Sequence, residues 1–316
     1  MPTDVQAVTS ARRRSATKVG RRILKHWEYY LLVLVPMAYI VIFKYVPMVG
    51  AQIAFRDFNV IEGMWGSPWV GLREFTRFFE SPSFRRLIEN TFSISLTRLL
   101  LGFPAPIILA LALNEISQRS FKRSVQMVTY APHFISTVVM ASMIILFLNP
   151  RLGLFGVLMR AAGVQPVNYL AVASHFKFVY ALSDIWQHAG YGAIIYMAAL
   201  AAINPELYEA ARIDGASRLQ KIIHVDIPGI MPVMVILLIL EFGEIMEVGF
   251  EKIYLLQNPV NISASEIIQT YVYKIGIINA SFSFASAVGL FNSVINFILL
   301  VGVNAAARRI SSNSLW

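Results

Sequence analysis

Six long apolar segments, at 29–49, 89–113, 126–148, 178–200, 230–252 and 284–306, decide what this chain can fold into. Each is long enough for a helix to cross about 30 Å of hydrocarbon, which takes roughly 20 residues. Hydrophobic residues make up 57% of the chain and charged residues 14%, well below the roughly 25% charged residues of a soluble domain. The expected fold is all-α, a polytopic membrane helical bundle of six transmembrane helices with both termini on one side. The first segment follows a basic stretch, as a signal peptide would. It is too long, contains Pro36 and Pro47, and is followed by no small-residue cleavage site, so it reads as a retained helix. The chain has no cysteine, so no disulfide holds it.

The distribution of Lys and Arg predicts the orientation, because cytoplasmic segments carry the excess. One face collects Arg12, Arg13, Arg14, Lys18, Arg21, Arg22 and Lys25 in the N-terminal arm, Arg119, Lys122 and Arg123, then Arg212, Arg218 and Lys221, and finally Arg308 and Arg309. The opposite face has fewer, spread over longer loops. Both termini are therefore expected in the cytoplasm, and the net charge of +9 reflects topology and attraction to anionic lipid rather than nucleic acid. Residues 1–25 form a basic arm without hydrophobic periodicity, expected to be disordered, and 26–316 the transmembrane domain. In the long outer loop 50–88, Leu72 to Phe79 alternates charge with aromatics at helical spacing. It is expected to lie on the membrane surface, as is the apolar stretch 152–159, unless these stretches meet an extracellular partner.

The polar connection 201–229 carries the most specific pattern. Asn204 suits a helix N-cap and Pro205 its first turn, and Glu206 and Glu209 complement the N-terminal dipole. This predicts a helix from Pro205 to Asp214, ended by Gly215 at positive φ. A second short helix, capped by Ser217, should then run to Ile227, where Pro228 leads into the fifth span. Leu207, Ala210, Ala211 and Asp214 share one face, and the alanines permit close approach by a partner.

Glu209-Ala210-Ala211, Gly215 four residues after Ala211, and Val225-Asp226-Ile227-Pro228 reproduce the spacing E-A-A-x3-G-x9-I-x-L-P, with Val225 and Ile227 replacing the Ile and Leu. The chain thus resembles ABC importer permeases. The segments 66–72, 102–106, Ala131-Pro132-His133-Phe134-Ile135-Ser136, Gly249-Phe250-Glu251-Lys252 and Ser314-Leu315-Trp316 look like the permeases of bacterial oligosaccharide and polysaccharide importers, in the branch for aldouronate and alginate uptake. The resemblance implies a type I permease fold in the bacterial cytoplasmic membrane. It also implies a heterodimer with a second, homologous permease, two ATPase subunits carrying ATP and Mg, and an extracytoplasmic solute-binding protein that delivers the saccharide. Glu209, Ala210, Ala211, Asp214, Gly215 and Pro228 would then couple the chain to the ATPase.

The sequence holds no G-x-x-x-x-G-K-[ST] loop, no H-E-x-x-H and no G-x-S-x-G elbow, so no cofactor, metal or catalytic role is expected of this chain. His26, His133, His175, His188 and His224 lack metal-ligand spacing. Candidates for a saccharide path are Trp186, Gln187 and Tyr191 in the fourth span, where Asp184, Gln187 and Tyr191 are spaced to share a face. An aromatic ring can cover a sugar's apolar side while amide and carboxylate groups bond its hydroxyls. Asn292 and Asn296 in the sixth span could line the path or join helices. Arg98 and Glu244 lie deep in their spans. Arg98 either pairs with Glu244 or Glu241, or meets a uronate carboxylate. Two other functions remain open on residues alone, an ion-coupled secondary transporter using the intramembrane glutamates and a membrane assembly or sensor protein.

Overall fold

The computed structural model describes residues 25–310, with side chains described to Arg308. The basic arm before residue 25 and the C-terminal Ser-Leu-Trp lie outside the described residues. The described chain is helical, with no strand and a single isolated bridge between Arg56 and Trp69. Helix suits hydrocarbon because it satisfies every backbone N–H and C=O internally.

Among the described residues, four helices are long and apolar enough to cross a membrane: Trp27–Phe55, Phe84–Glu115, Arg218–Gly243 and Phe282–Arg308. A fifth crossing is possible if Arg119–Phe134 and Thr137–Phe147, bent by 106°, form one broken span. The expected count of six is not reached on length and composition, and the two departures have different causes. The segment 126–148 is broken because Pro132 lies in a 3-10 turn, Ile135 is extended, and Ser136 starts a new helix by accepting from the Val139 N–H. The fourth segment does form a helix, Phe176–Ala201, of 26 residues. Its N-terminal half holds Lys177, Asp184, Gln187 and His188, which lower its hydropathy.

That helix is the hub. Its buried residues Phe176, Tyr180, Ala193, Tyr196 and Leu200 lie along it, and it packs against Phe84–Gly102, Pro104–Glu115, Arg119–Tyr130 and Ile227–Gly243. Gly190 permits the closest of these approaches, since a Cβ there would stand 2.0 Å from the Thr129 carbonyl oxygen. Near its N-terminal end, Tyr180 and Phe176 pack with Met140, Ile144, Val248, Ile253 and Leu256. Near the opposite end, Tyr196 and Leu200 pack with Ile107, Leu111 and Ile230.

The fifth apolar segment, expected at 230–252, is also interrupted. Its helix ends at Gly243, residues 244–249 form an irregular break, and a separate helix runs Phe250–Leu256. Gly249 allows the break to tuck inward, because a Cβ there would lie 2.5 Å from the Tyr180 hydroxyl. The outer loop helix expected around 72–79 is present as Arg73–Phe79, but it does more than rest on a surface. Phe78 is fully buried among the rings of Phe84, Phe284 and Phe291, which fastens the loop to the last long helix. The stretch 152–159 is helical as Leu154–Ala161, with Leu154, Phe155, Val157 and Leu158 exposed.

The loops at 56–90 and 250–283 meet at one end of the bundle, through Arg86 to Glu266 at 2.9 Å and Asn90 to the Ser263 carbonyl at 2.9 Å. The connection 201–218 lies at the other end of the hub helix. We predict that Ile61→Cys and Ser263→Cys, both at exposed positions, react with an impermeant thiol reagent in intact cells, while Ser217→Cys does not. Labelling at 217 without labelling at 61 reverses the orientation. Ser67 is a poor probe of this loop because it is buried, its hydroxyl bonded to the Gly63 carbonyl and the Asn59 N–H.

Candidate functional site

Two places gather the chemistry, the connection 201–229 and a charged group inside the bundle. In the connection, the Asn204 side chain accepts from the Glu206 N–H at 3.0 Å and starts the helix Pro205–Ile213. Gly215 ends it at φ +73°. Ser217 and Gln220 form a reciprocal capping box, and there the expectation of a second short helix is corrected. The backbone continues from Arg218 through a π-helical turn, Ile222–Asp226, straight into Ile227–Gly243, so helix and span are one 26-residue element. Pro228 falls where the π turn gives way to α-helix, a place where its missing N–H is tolerated. Leu207, Ala210 and Asp214 are exposed, with Ile213 beside them at 86% exposure, while Ala211 turns half inward. Glu209 is exposed and has no ion-pair partner among the described residues.

The second site centres on Asp184. Its carboxylate meets Arg98 Nε at 3.0 Å, Lys252 Nζ at 3.5 Å and His188 Nδ1 at 3.1 Å. Arg98 also reaches Glu241 at 3.6 Å. Of the two expected partners Glu241 is therefore met and Glu244 is not, and the nearer carboxylate is Asp184, which was not expected. The helix ends at Gly243, so Glu244 falls in the break; it lines the same cavity without an ion pair. That cavity, of about 250 Å³, is bounded by Arg98, Phe103, Asp184, His188, Tyr196, Glu241 and Glu244. An unpaired charge in hydrocarbon costs at least about 2.5 kcal/mol, which accounts for the convergence.

The other path candidates separate. Gln187 is buried and donates to the Ile135 carbonyl at 3.3 Å, so although the unbroken helix keeps Asp184, Gln187 and Tyr191 on one side, of the three only Asp184 lines the cavity. Tyr191 is half exposed and stacks on His133 with ring centroids 3.9 Å apart. Trp186 lies near Phe147 and outside the cavity wall. Asn296 accepts from the Met246 N–H at 3.0 Å, tying the break to the last helix. Asn292 borders a separate groove between Phe250 and Gly289. The residue spacing leaves His133 and His188 as isolated histidines, and hydropathy places Lys252 at the end of the fifth apolar segment. The four-residue step from Asp184 to His188 was the available signal for one of them.

The match to the family of binding-protein-dependent transport system inner membrane components spans residues 102–312. The chain belongs to this family. It is 40% identical to the polygalacturonan/rhamnogalacturonan transport system permease protein YteP of Bacillus subtilis, over 93% of this chain and 92% of that one. It is 30% identical to the trehalose/maltose transport system permease protein MalF of Thermococcus litoralis, over 72% and 76%. A crystal structure of a bacterial ABC transporter involved in the import of the acidic polysaccharide alginate is similar at TM-score 0.86 and 37% identity, covering 93% of this chain and 99% of that one. As a permease of this family the chain is a non-catalytic inner membrane subunit, and ATP is hydrolysed by partner subunits. That sets aside an ion gradient as the driving force.

Arg98→Glu should strand Asp184 and Glu241 beside a third carboxylate. Breaking a buried pair costs on the order of 3 kcal/mol, so we expect a several-fold loss of protein in the membrane fraction. Adding Asp184→Arg should recover much of it. Normal accumulation of the single variant rules out a structural pair.

Proposed function

We propose that this chain is one of two permease subunits of an ABC importer for acidic oligosaccharides or polysaccharides of the pectin or alginate type. It would work with a second, homologous permease, two ATPase subunits holding ATP and Mg, and an extracytoplasmic binding protein. The observation that carries this reading is likeness over nearly the whole chain to one permease named for polygalacturonan and rhamnogalacturonan and to a transporter for alginate. All of these sugars bear uronate carboxylates. A similar alginate transporter has been crystallised in complex with its periplasmic protein bound to an alginate pentasaccharide, which supports delivery by such a partner.

Alternating access is the mechanism we propose. ATP binding in the partner subunits displaces the helix Pro205–Ile213, and the motion passes through the continuous helix Arg218–Gly243 to the cavity at Glu241. Glu209, Ala210, Ala211, Asp214, Gly215 and Pro228 serve the ATPase contact. Its apolar component is Leu207 and Ile213, both exposed. The cavity between Arg98, His188 and Glu244, with Tyr191 and His133 beside it, lies on the proposed saccharide path. Arg98 already holds two carboxylates, so the acidic character of the substrate rests on whole-chain likeness rather than on a free guanidinium. Both termini are proposed to be cytoplasmic.

In the reconstituted complex with its binding protein, oligogalacturonate or alginate oligosaccharide should stimulate ATP hydrolysis several-fold, and maltotriose should not. Equal stimulation by the neutral sugar overturns the acidic assignment.

Glu209→Lys and Gly215→Val test the ATPase contact. Valine at φ +73° costs on the order of 1–2 kcal/mol, and lysine reverses an exposed charge. Both variants should insert normally yet lose ATPase co-purification or uptake. Wild-type uptake by both rejects a coupling role for 201–229.

A further inference from the structure

We propose that the hydrogen bond from Tyr208 to Asp226 is a latch that makes the helix Pro205–Ile213 and the long helix Arg218–Gly243 move as one body, with Tyr208 as a positioning residue for transport. This rests on the coupling role proposed above. The covalent path between the two helices runs through Gly215, at φ +73° with open space around its Cα. Two backbone hydrogen bonds, from the Gly215 N–H to the Arg212 carbonyl at 3.2 Å and from the Ala216 N–H to the Ala211 carbonyl at 2.9 Å, close the turn on the short helix, but neither reaches the long helix. A push on the short helix would be absorbed at that turn unless something bridges it.

The bridge is a pair of side chains 18 residues apart. The Tyr208 hydroxyl donates to Asp226 Oδ1. Asp226 is fully buried, four residues before the equally buried Ile230, on the inward stripe of the long helix. Its Oδ2 has no hydrogen-bond partner among the described residues, so Tyr208 is the side chain that satisfies this carboxylate. Separating the helices would leave a buried acid without a donor, a far greater loss than that of an exposed hydrogen bond. Burial first, and then the facing carboxylate, push the Tyr208 hydroxyl up to about 12, so it remains a donor at any physiological pH.

The same joint holds the end of Pro104–Glu115. Asn114 lies beside the Tyr208 hydroxyl, and Glu115 takes Lys221 at 3.1 Å. The short helix is thus tied to the base of the long helix through Tyr208, and that base to the end of a third through Lys221. None of these side chains belongs to the E-A-A pattern.

The absence of native cysteine permits a direct test. Nitroxides are placed at Arg212→Cys and Leu240→Cys, both exposed, in the full complex with its ATPase subunits. Their separation is measured by pulsed electron resonance with and without MgATP. With the latch intact, one narrow distance should persist in both states. Tyr208→Phe, which deletes only the hydroxyl, should lose that single distance when MgATP is added. Asp226→Asn retains an acceptor oxygen and should behave as wild type. A fixed distance in Tyr208→Phe under MgATP overturns the latch, as does loss of the fixed distance in the wild type. Failure of the ATPase to co-purify with the wild-type chain instead defeats the coupling reading itself.

Discussion

A carboxylate inside an apolar bundle must be neutralised by its neighbours, and at Asp184 that requirement brings four segments together. Arg98 comes from the second long helix, His188 from the next turn of the hub helix, and Lys252 from beyond the break at 244–249. Glu241, on the fifth apolar segment, joins through Arg98. The cost of leaving any of these charges alone is a substantial fraction of a domain's net stability. The break after Gly243 is what carries Lys252 back to the hub, and Gly249 beneath the Tyr180 hydroxyl is what lets the break fit. Packing follows, with Tyr180, Ile253 and Leu256 closing one core cluster around the ion pairs.

The same cluster shapes the cavity. Because Arg98 and Asp184 compensate each other, polar walls can stand next to open space at the level of the bilayer. His188, Glu241 and Glu244 face that space. The arrangement joins the hub helix, the second long helix and the upper part of Arg218–Gly243, so a movement of the last of these alters the cavity. Its lower end is anchored by Tyr208, Asp226, Glu115 and Lys221. One continuous helix thus connects a polar surface at one end of the molecule with a charged chamber within it.

Much of the local structure was legible in the sequence, because its rules are local. Asn204 and Pro205 set the start of a helix, Gly215 its end, and Ser217 the next beginning, each through a bond to a backbone group within three residues or through a restricted φ. The E-A-A spacing and the whole-chain pattern indicated the family for the same reason, since they are properties of residue order. The apolar segments announced a membrane protein without any knowledge of contacts.

Tertiary structure decided which charges meet and where helices break. Hydropathy places Lys252 at the end of a span, and depth along a straight helix matches Arg98 to Glu244 or Glu241, of which only Glu241 is reached. Both inferences assumed that 230–252 was unbroken, and the break moves Glu244 off the helix while Asp184 comes within 3.0 Å of Arg98. Gln187 looked like a lining residue until packing turned it toward the Ile135 carbonyl. The residue order determined a helical membrane permease with a patterned polar connection, since periodicity, caps and spacing act within a few residues. The pairing of Asp184 with Arg98 and Lys252, and of Tyr208 with Asp226, was fixed only by the fold. Electrostatic neutralisation acts through space between groups that sequence separates by 86, 68 and 18 residues.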